Sequence, residues 1–107
     1  MPVQIRRAIP DDIERILPLA RDFVTSFEVD GDKYRLSFSV ILGNSDALVL
    51  VAEDNASLIG YFLEFCHGTF YANGNVAWLE EIMVSSAYRR QRVGESLMTG
   101  FEEWALL

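Results

Sequence analysis

A chain of 107 residues has room for one domain built on one hydrophobic core. Half of its residues are apolar and 12% are aromatic, which excludes a disordered segment. A net charge of −7 and a pI near 4.5 exclude a broad nucleic-acid or anionic-membrane surface. The single Cys66 permits no internal disulfide, no run approaches the ~18 apolar residues of a membrane span, and residues 1–4 open no secretory signal. A cytoplasmic protein is therefore expected. With one histidine and one cysteine, no metal site is expected either.

Residues 3–9 place Val3 and Ile5 in alternation before Arg6-Arg7 and read as a first strand. Pro10-Asp11-Asp12 opens a helix, because acidic side chains in a first turn complement the helix dipole. Its apolar stripe is Ile13, Ile16, Leu17, Ala20, Val24 and Phe27, and Pro18 within it is expected to kink or divide the helix. A loop follows at residues 28–32. Asp32 is the expected N-cap of a second helix that reaches about Leu42, with Tyr34, Phe38, Ile41 and Leu42 inward and Gly43 as its stop. Glu28, Asp30 and Asp32 either cap and solvate the loop or help to attract a cationic amine, and the former is the commoner use of such residues.

Residues 46–53 form a strongly β run, turned by Asp54-Asn55-Ala56-Ser57 into a second strand over 58–67. The near-continuous apolar run from Leu48 to Val51 predicts burial on both faces, so helices should cover both sides of the sheet. Asn73-Gly74-Asn75 then turns into a strand over 76–84 carrying Val76, Ile82 and Val84. The last helix starts at about Val93, with Val93, Leu97, Phe101 and Trp104 at i, i+4, i+8 and i+11. The order is β-α-α-β-β-β-α, an α/β arrangement around an antiparallel meander.

Between the last strand and helix, Arg89, Arg90 and Arg92 concentrate three of the nine basic residues into four positions. They precede a helix N-terminus, where cations are disfavoured by roughly 0.3–1 kcal/mol each. Arginines, unpaired amides and Gly94 together describe an anion site, most simply for phosphate; a solvated basic turn with Glu95 as charge partner is the alternative.

The block YRRQRVGESLM after LEEIMV resembles the acyl-CoA loop of the GNAT superfamily of N-acetyltransferases, whose pattern is Arg/Gln-x-x-Gly-x-Gly/Ala after a buried strand. Arg89 takes the first position and Gly94 the last. Arg92 stands where the family usually has its first glycine; with an ordinary negative φ it adds a charge to the diphosphate, and otherwise it obstructs the approach of the backbone. The first is expected here, since Tyr88-Arg89 and Leu97-Met98 also fit. Less specific likenesses extend along the whole chain: the Ile-Arg opening strand, the Asp-rich helix start and Ile59-Gly60. Family members continue with a fifth strand, a fourth helix and further strands, so a single domain, residues 1–107, without the C-terminal part of the fold is expected.

The resemblance implies an enzyme that moves an acetyl group from acetyl-CoA to a primary amine by direct attack. Backbone groups of Ile82, Met83 and Val84 would pair with the pantetheine arm as an added strand. The loop and helix start, Arg89, Arg90, Gln91, Arg92, Val93, Gly94 and Glu95, would hold the diphosphate. Glu80, four residues before Val84, matches the position of a general base in several members. Glu81 competes for that role, since adjacent strand residues face opposite sides unless a bulge intervenes. Cys66 and His67 alternate in the same way and form no nucleophile–base pair. Trp78 and Trp104 are expected in the core. The implied partners are a small-molecule or peptide amine and a second copy in a homodimer, with no nucleic acid or membrane; the alternative is a protein that binds acyl-CoA without catalysis, or an incomplete member of the fold that dimerises through its open sheet edge.

Overall fold

The computed structural model describes residues 3–24, 26, 28–70, 74–88 and 92–105, with the backbone alone at 74–75 and 101–105. Strand β1 is Gln4–Arg7, followed by a 3-10 turn at Pro10–Asp12 and the helices α1, Ile13–Phe23, and α2, Gly31–Leu42. Three strands come next, β2 at Ala47–Asp54, β3 at Ser57–Thr69 and β4 at Gly74–Val84. A second 3-10 turn at Ser86–Tyr88 leads to α3, Val93–Ala105. The order matches the sequence pattern. The four strands lie in chain order, and all three pairings are antiparallel.

Helices cover both faces, as the apolar run of β2 requires. On one face, Val93 and Leu97 of α3 pack on Leu48, Leu50, Ala52, Ile59 and Phe62. On the other, Ile16, Leu19 and Ala20 of α1 and Phe38 of α2 pack on Val51 and Tyr61. Consecutive strand residues such as Leu50 and Val51, or Tyr61 and Phe62, thus serve opposite cores. Gly60 sits where α3 begins: a Cβ there would lie 3.0 Å from the Met83 carbonyl oxygen and 3.5 Å from Val93 Cγ1. Its absence lets β3, β4 and the start of α3 approach closely.

Several local expectations are corrected. Pro18 lies inside α1 without dividing it, and the helix ends at Phe23, before Val24; Phe27 lies outside the described residues. Asp30, not Asp32, caps α2, its carboxylate accepting from the amides of Asp32 and Lys33 at 2.9 and 3.1 Å. Gly43 does end α2, yet with φ −82°, so no left-handed residue is needed there. The β2–β3 turn contracts to Asn55-Ala56, with Asn55 at φ 52°, a conformation asparagine tolerates better than most residues. Trp78 is 53% exposed rather than in the core, and the side chain of Trp104 lies outside the described residues.

The first helix is tied to the sheet through charge. Asp12 is fully buried and takes a bidentate bond from Arg6 at 2.8 and 2.9 Å, a third from Arg15 at 3.2 Å and a fourth from the Ile9 amide at 2.8 Å. Both arginines also reach Glu53, at 3.3 and 2.7 Å. The second helix is tied to the first: Arg35 holds Glu14 with two bonds of 2.7 and 2.8 Å, and the Tyr34 hydroxyl donates to the Ile13 carbonyl at 2.6 Å.

Candidate functional site

Two cavities flank β4, one on each face of the sheet. On the α3 side an open cleft of about 660 Å³ is lined by Leu79, Ile82, Gly94, Glu95, Met98 and Thr99, a volume suited to a small-molecule ligand. Ile82, Gly94 and Glu95, three of the residues expected to bind the acyl carrier, meet here. Val93 is buried at 2% exposure and seats α3 on the core. Met83 packs with the α1–α2 cluster on the opposite face, and Val84 packs beside the α3 cluster. Met83, Val84 and Val93 therefore have their side chains committed to packing. Arg89, Arg90 and Gln91 lie outside the described residues. In the sequence Met98 counts only as part of the helix block, and Leu79 and Thr99 go unnoticed, although Met98 and Thr99 follow Glu95 at helical spacing.

Arg92 departs from expectation. Its φ is +62°, the left-handed conformation that glycine adopts without penalty, rather than an ordinary negative value. The side chain thus costs about 1 kcal/mol in a position where the backbone has kept a glycine-like bend. That bend makes Arg92 the cap of α3: its carbonyl accepts from the Ser96 amide at 3.1 Å and from the Ser96 hydroxyl at 3.2 Å. The amides of Val93, Gly94 and Glu95 precede the first intrahelical bond and so have no carbonyl of their own helix to bind. Around Gly94 the space is open, since a Cβ built there meets nothing within 4 Å. Arg92 and Glu95 approach only to 3.9 Å, both well exposed. The first turn of α3 therefore offers unpaired amides, those of Gly94 and Glu95 on its open side, beside a guanidinium group, an arrangement suited to an anion.

Tyr88 anchors the approach to this loop. Its hydroxyl donates to Asp54 Oδ2 at 3.0 Å, and its ring packs against the α3 core. The Asp54 bond raises the Tyr88 phenol above its ordinary pKa.

The α1–α2 side holds a smaller cavity of about 120 Å³, walled by Ile16 and Ala20 of α1, Tyr34, Phe38 and Ile41 of α2, and Val49, Tyr61 and Leu63 of the sheet. Among the described residues Glu81 is the one charged residue in its lining, and Ser37 stands at its exposed rim. The Tyr61 hydroxyl donates to Glu81 Oε1 at 2.6 Å. Burial, and then this carboxylate, hold the Tyr61 phenol well above its ordinary pKa, so it remains a donor. Burial likewise raises Tyr34.

A bulge decides which glutamate reaches which face. Leu63 pairs with Glu81 but Glu64 pairs with Leu79, leaving Glu80 as the extra residue. Strict alternation would put Leu79 on the face of Glu81; instead Leu79 and Ile82 share the α3-side cleft. Glu80 is exposed and lines neither cavity, whereas Glu81 lines the one between α1 and α2. Glu81 and Ile82 are thus consecutive residues serving cavities on opposite faces of one edge strand.

The four-stranded antiparallel sheet thus carries a helix start with unpaired amides beside its edge strand and a carboxylate-lined pocket on its other face. The profile of the acetyltransferase (GNAT) family matches residues 13–106, and the chain belongs to that family. No curated protein sequence matches it. Among solved structures it resembles the aminoglycoside 6'-N-acetyltransferase AAC(6')-Ig of Acinetobacter haemolyticus, with a TM-score of 0.84 at 22% identity over 95% of this chain and 70% of that one. The AAC(6')-Iy complex with the bisubstrate analogue CoA-S-monomethyl-acetylneamine gives 0.85 at 16% identity, over 99% and 73%. Glucosamine-6-phosphate N-acetyltransferase of Arabidopsis thaliana gives 0.82 at 17%, over 96% and 74%. Membership of the family implies acyl transfer from acetyl-CoA to an amine. Among the described residues no helix is long and apolar enough to cross a membrane, and no group of three or more His, Cys, Asp or Glu could hold a metal.

Proposed function

We propose that this chain is an N-acetyltransferase that takes acetyl-CoA on the α3 side of β4 and a primary amine on the α1–α2 side. The reading rests on one observation above the others: the open space at Gly94, beside the amides that begin α3. There the diphosphate lies over Val93, Gly94 and Glu95, with Arg89, Arg90, Gln91 and Arg92 completing the loop. The pantetheine arm runs along the backbone of Ile82, Met83 and Val84 as an added strand.

The amine nitrogen attacks the thioester carbonyl directly. A C–N bond forms, the C–S bond breaks with its electron pair leaving on sulfur, and the thiolate takes up, through water, the proton that the acylated nitrogen releases. An ammonium substrate must first lose a proton to a carboxylate. Family position nominates Glu80; the pocket supports Glu81, which lines it and is held by Tyr61. We assign the role to Glu81. Two copies pair along the β4 edge, where Trp78 and Leu79 are 53% and 37% exposed, and the single free Cys66 suits the reducing cytoplasm.

Calorimetric titration of acetyl-CoA into the wild type and Gly94→Val tests the donor side. One site per chain is expected, and the variant should lose at least about tenfold in affinity with its melting temperature kept, because the added side chain enters the ligand's space rather than the protein's. Equal affinity in both proteins would discard the loop assignment. On the acceptor side, Glu81→Gln should lower kcat by about 10²-fold near neutral pH while leaving acetyl-CoA binding intact. A loss in Glu80→Gln alone would transfer the role to Glu80.

A further inference from the structure

We infer that the acceptor is a primary amine carried on a compact apolar body, an arylalkyl or branched alkyl amine, and not an amino sugar or a polyamine. This rests on the acyl-transfer reading above and concerns only the cavity between α1, α2 and the sheet.

The size of that cavity, about 120 Å³, approaches that of an engineered apolar cavity of about 150 Å³ that accepts benzene. Its walls are hydrocarbon from four elements, Ile16 and Ala20 of α1, Phe38 and Ile41 of α2, Val49 of β2 and Leu63 of β3. The polar groups that reach it are already engaged. Tyr34 donates its hydroxyl to the Ile13 carbonyl, and Tyr61 donates to Glu81. Glu81 Oε1 holds the Tyr61 bond, and its second oxygen faces no basic side chain in the lining. A carboxylate in the lining of an otherwise apolar chamber matches an ammonium on an otherwise apolar body.

Other amines fit poorly for stated reasons. An amino sugar would bring several hydroxyls against these walls, where Ser37 is the one remaining side-chain hydroxyl, at the exposed rim. Each hydroxyl buried without a partner should lower affinity by roughly tenfold. A polyamine would enter with a second ammonium and no second carboxylate, since Glu81 is the lone charge in the lining among the described residues. The walls are also fixed. Tyr34 and the paired bonds from Arg35 to Glu14 clamp α2 to α1, which limits any widening for a larger guest.

The test measures acetylation of phenethylamine, isoamylamine, glucosamine and spermidine at equal concentration, together with calorimetric binding of phenethylamine to the wild type saturated with CoA. Phenethylamine and isoamylamine should exceed glucosamine and spermidine in kcat/KM by at least about tenfold. Ser37→Phe, at the exposed rim, should close the chamber, raise KM for phenethylamine and leave acetyl-CoA affinity unchanged. Glucosamine or spermidine turning over as well as phenethylamine would overturn the inference and leave acyl transfer standing. No calorimetric binding of phenethylamine at millimolar concentration would overturn it too, whatever the acetyl-CoA titration gives. Failure of that separate titration, with phenethylamine still bound in the absence of CoA, would remove the donor-side reading and keep the pocket's preference.

Discussion

Glu64 is the residue whose chemistry and position are most at odds. It lies in the middle of β3, fully buried, paired in register with Leu48 and Leu79, and neither of its oxygens has a hydrogen-bond partner. Burial pushes its carboxyl up to about 7 from an ordinary 4.5; the Trp78 amide offsets this in part but stops short of a hydrogen bond. Because the folded-state value is the higher, the folded chain holds this proton when the unfolded chain has released it. The cost is absent below about pH 4.5, grows between the two values and is complete above 7. A shift of this size corresponds to about 3 kcal/mol. Glu64→Leu, close in volume, should therefore stabilise the protein by about 1–3 kcal/mol more at pH 8 than at pH 4.5. Urea midpoints at the two pH values decide it; an equal shift at both would mean that ionisation is not the cause. The sequence held the signal for this residue: a sheet expected to be covered on both faces leaves no solvent side for a glutamate at the centre of YFLEFCH. For Arg92 the signal is its place at the family's usual glycine, which the expectation of a negative φ misreads: the φ of +62° is set by the bend that the strand end and α3 require, not by the residue occupying it.

Among elements, α1 depends on the charged cluster at its start more than on its own cap. The Asp12 side chain, wholly buried, joins β1 through Arg6, α1 through Arg15 and the chain before it through Ile9. The bonds from Arg6 hold its pKa below the ordinary 3.8. Being depressed, it contributes stability above about pH 4 and loses it as pH falls through the folded value. Asp12→Asn should cost about 2–3 kcal/mol at pH 7, less than the loss of a fully desolvated pair because both arginines are about one-third exposed. The cost should shrink below pH 3, and denaturation midpoints at pH 7 and 2.5 measure both; a constant difference would assign the effect to shape. The order of elements could be read from periodicity and turn residues. Their joints could not. Asp30 and Asp32 are both good caps, and only the path of the chain chose Asp30; the Glu80 bulge is a property of register between strands, invisible in either strand alone.

For the whole molecule, the proposed function asks two jobs of the edge strand β4, and they need not conflict. Among the described residues the sheet ends at β4. The Glu80 bulge divides that edge: Leu79 and Trp78 lie on one side of it, and the 82–84 segment, beside the start of α3, on the other. A bulge interrupts a ladder, so pairing that starts in one half does not propagate into the other. Two copies joined through the half that carries Trp78 would leave the 82–84 backbone available to the acyl carrier, whereas copies paired along the entire edge would bury it. The predicted arrangement is the former. Sedimentation equilibrium at tens of micromolar should give a dimer with and without saturating acetyl-CoA, and Trp78→Lys, which removes an exposed apolar ring outside both cavities, should give a monomer with unchanged acetyl-CoA affinity. A dimer that dissociates on adding acetyl-CoA would show that the two partners compete for one continuous edge. A monomer throughout would leave β4 to the acyl carrier alone, with Trp78 an isolated exposed side chain.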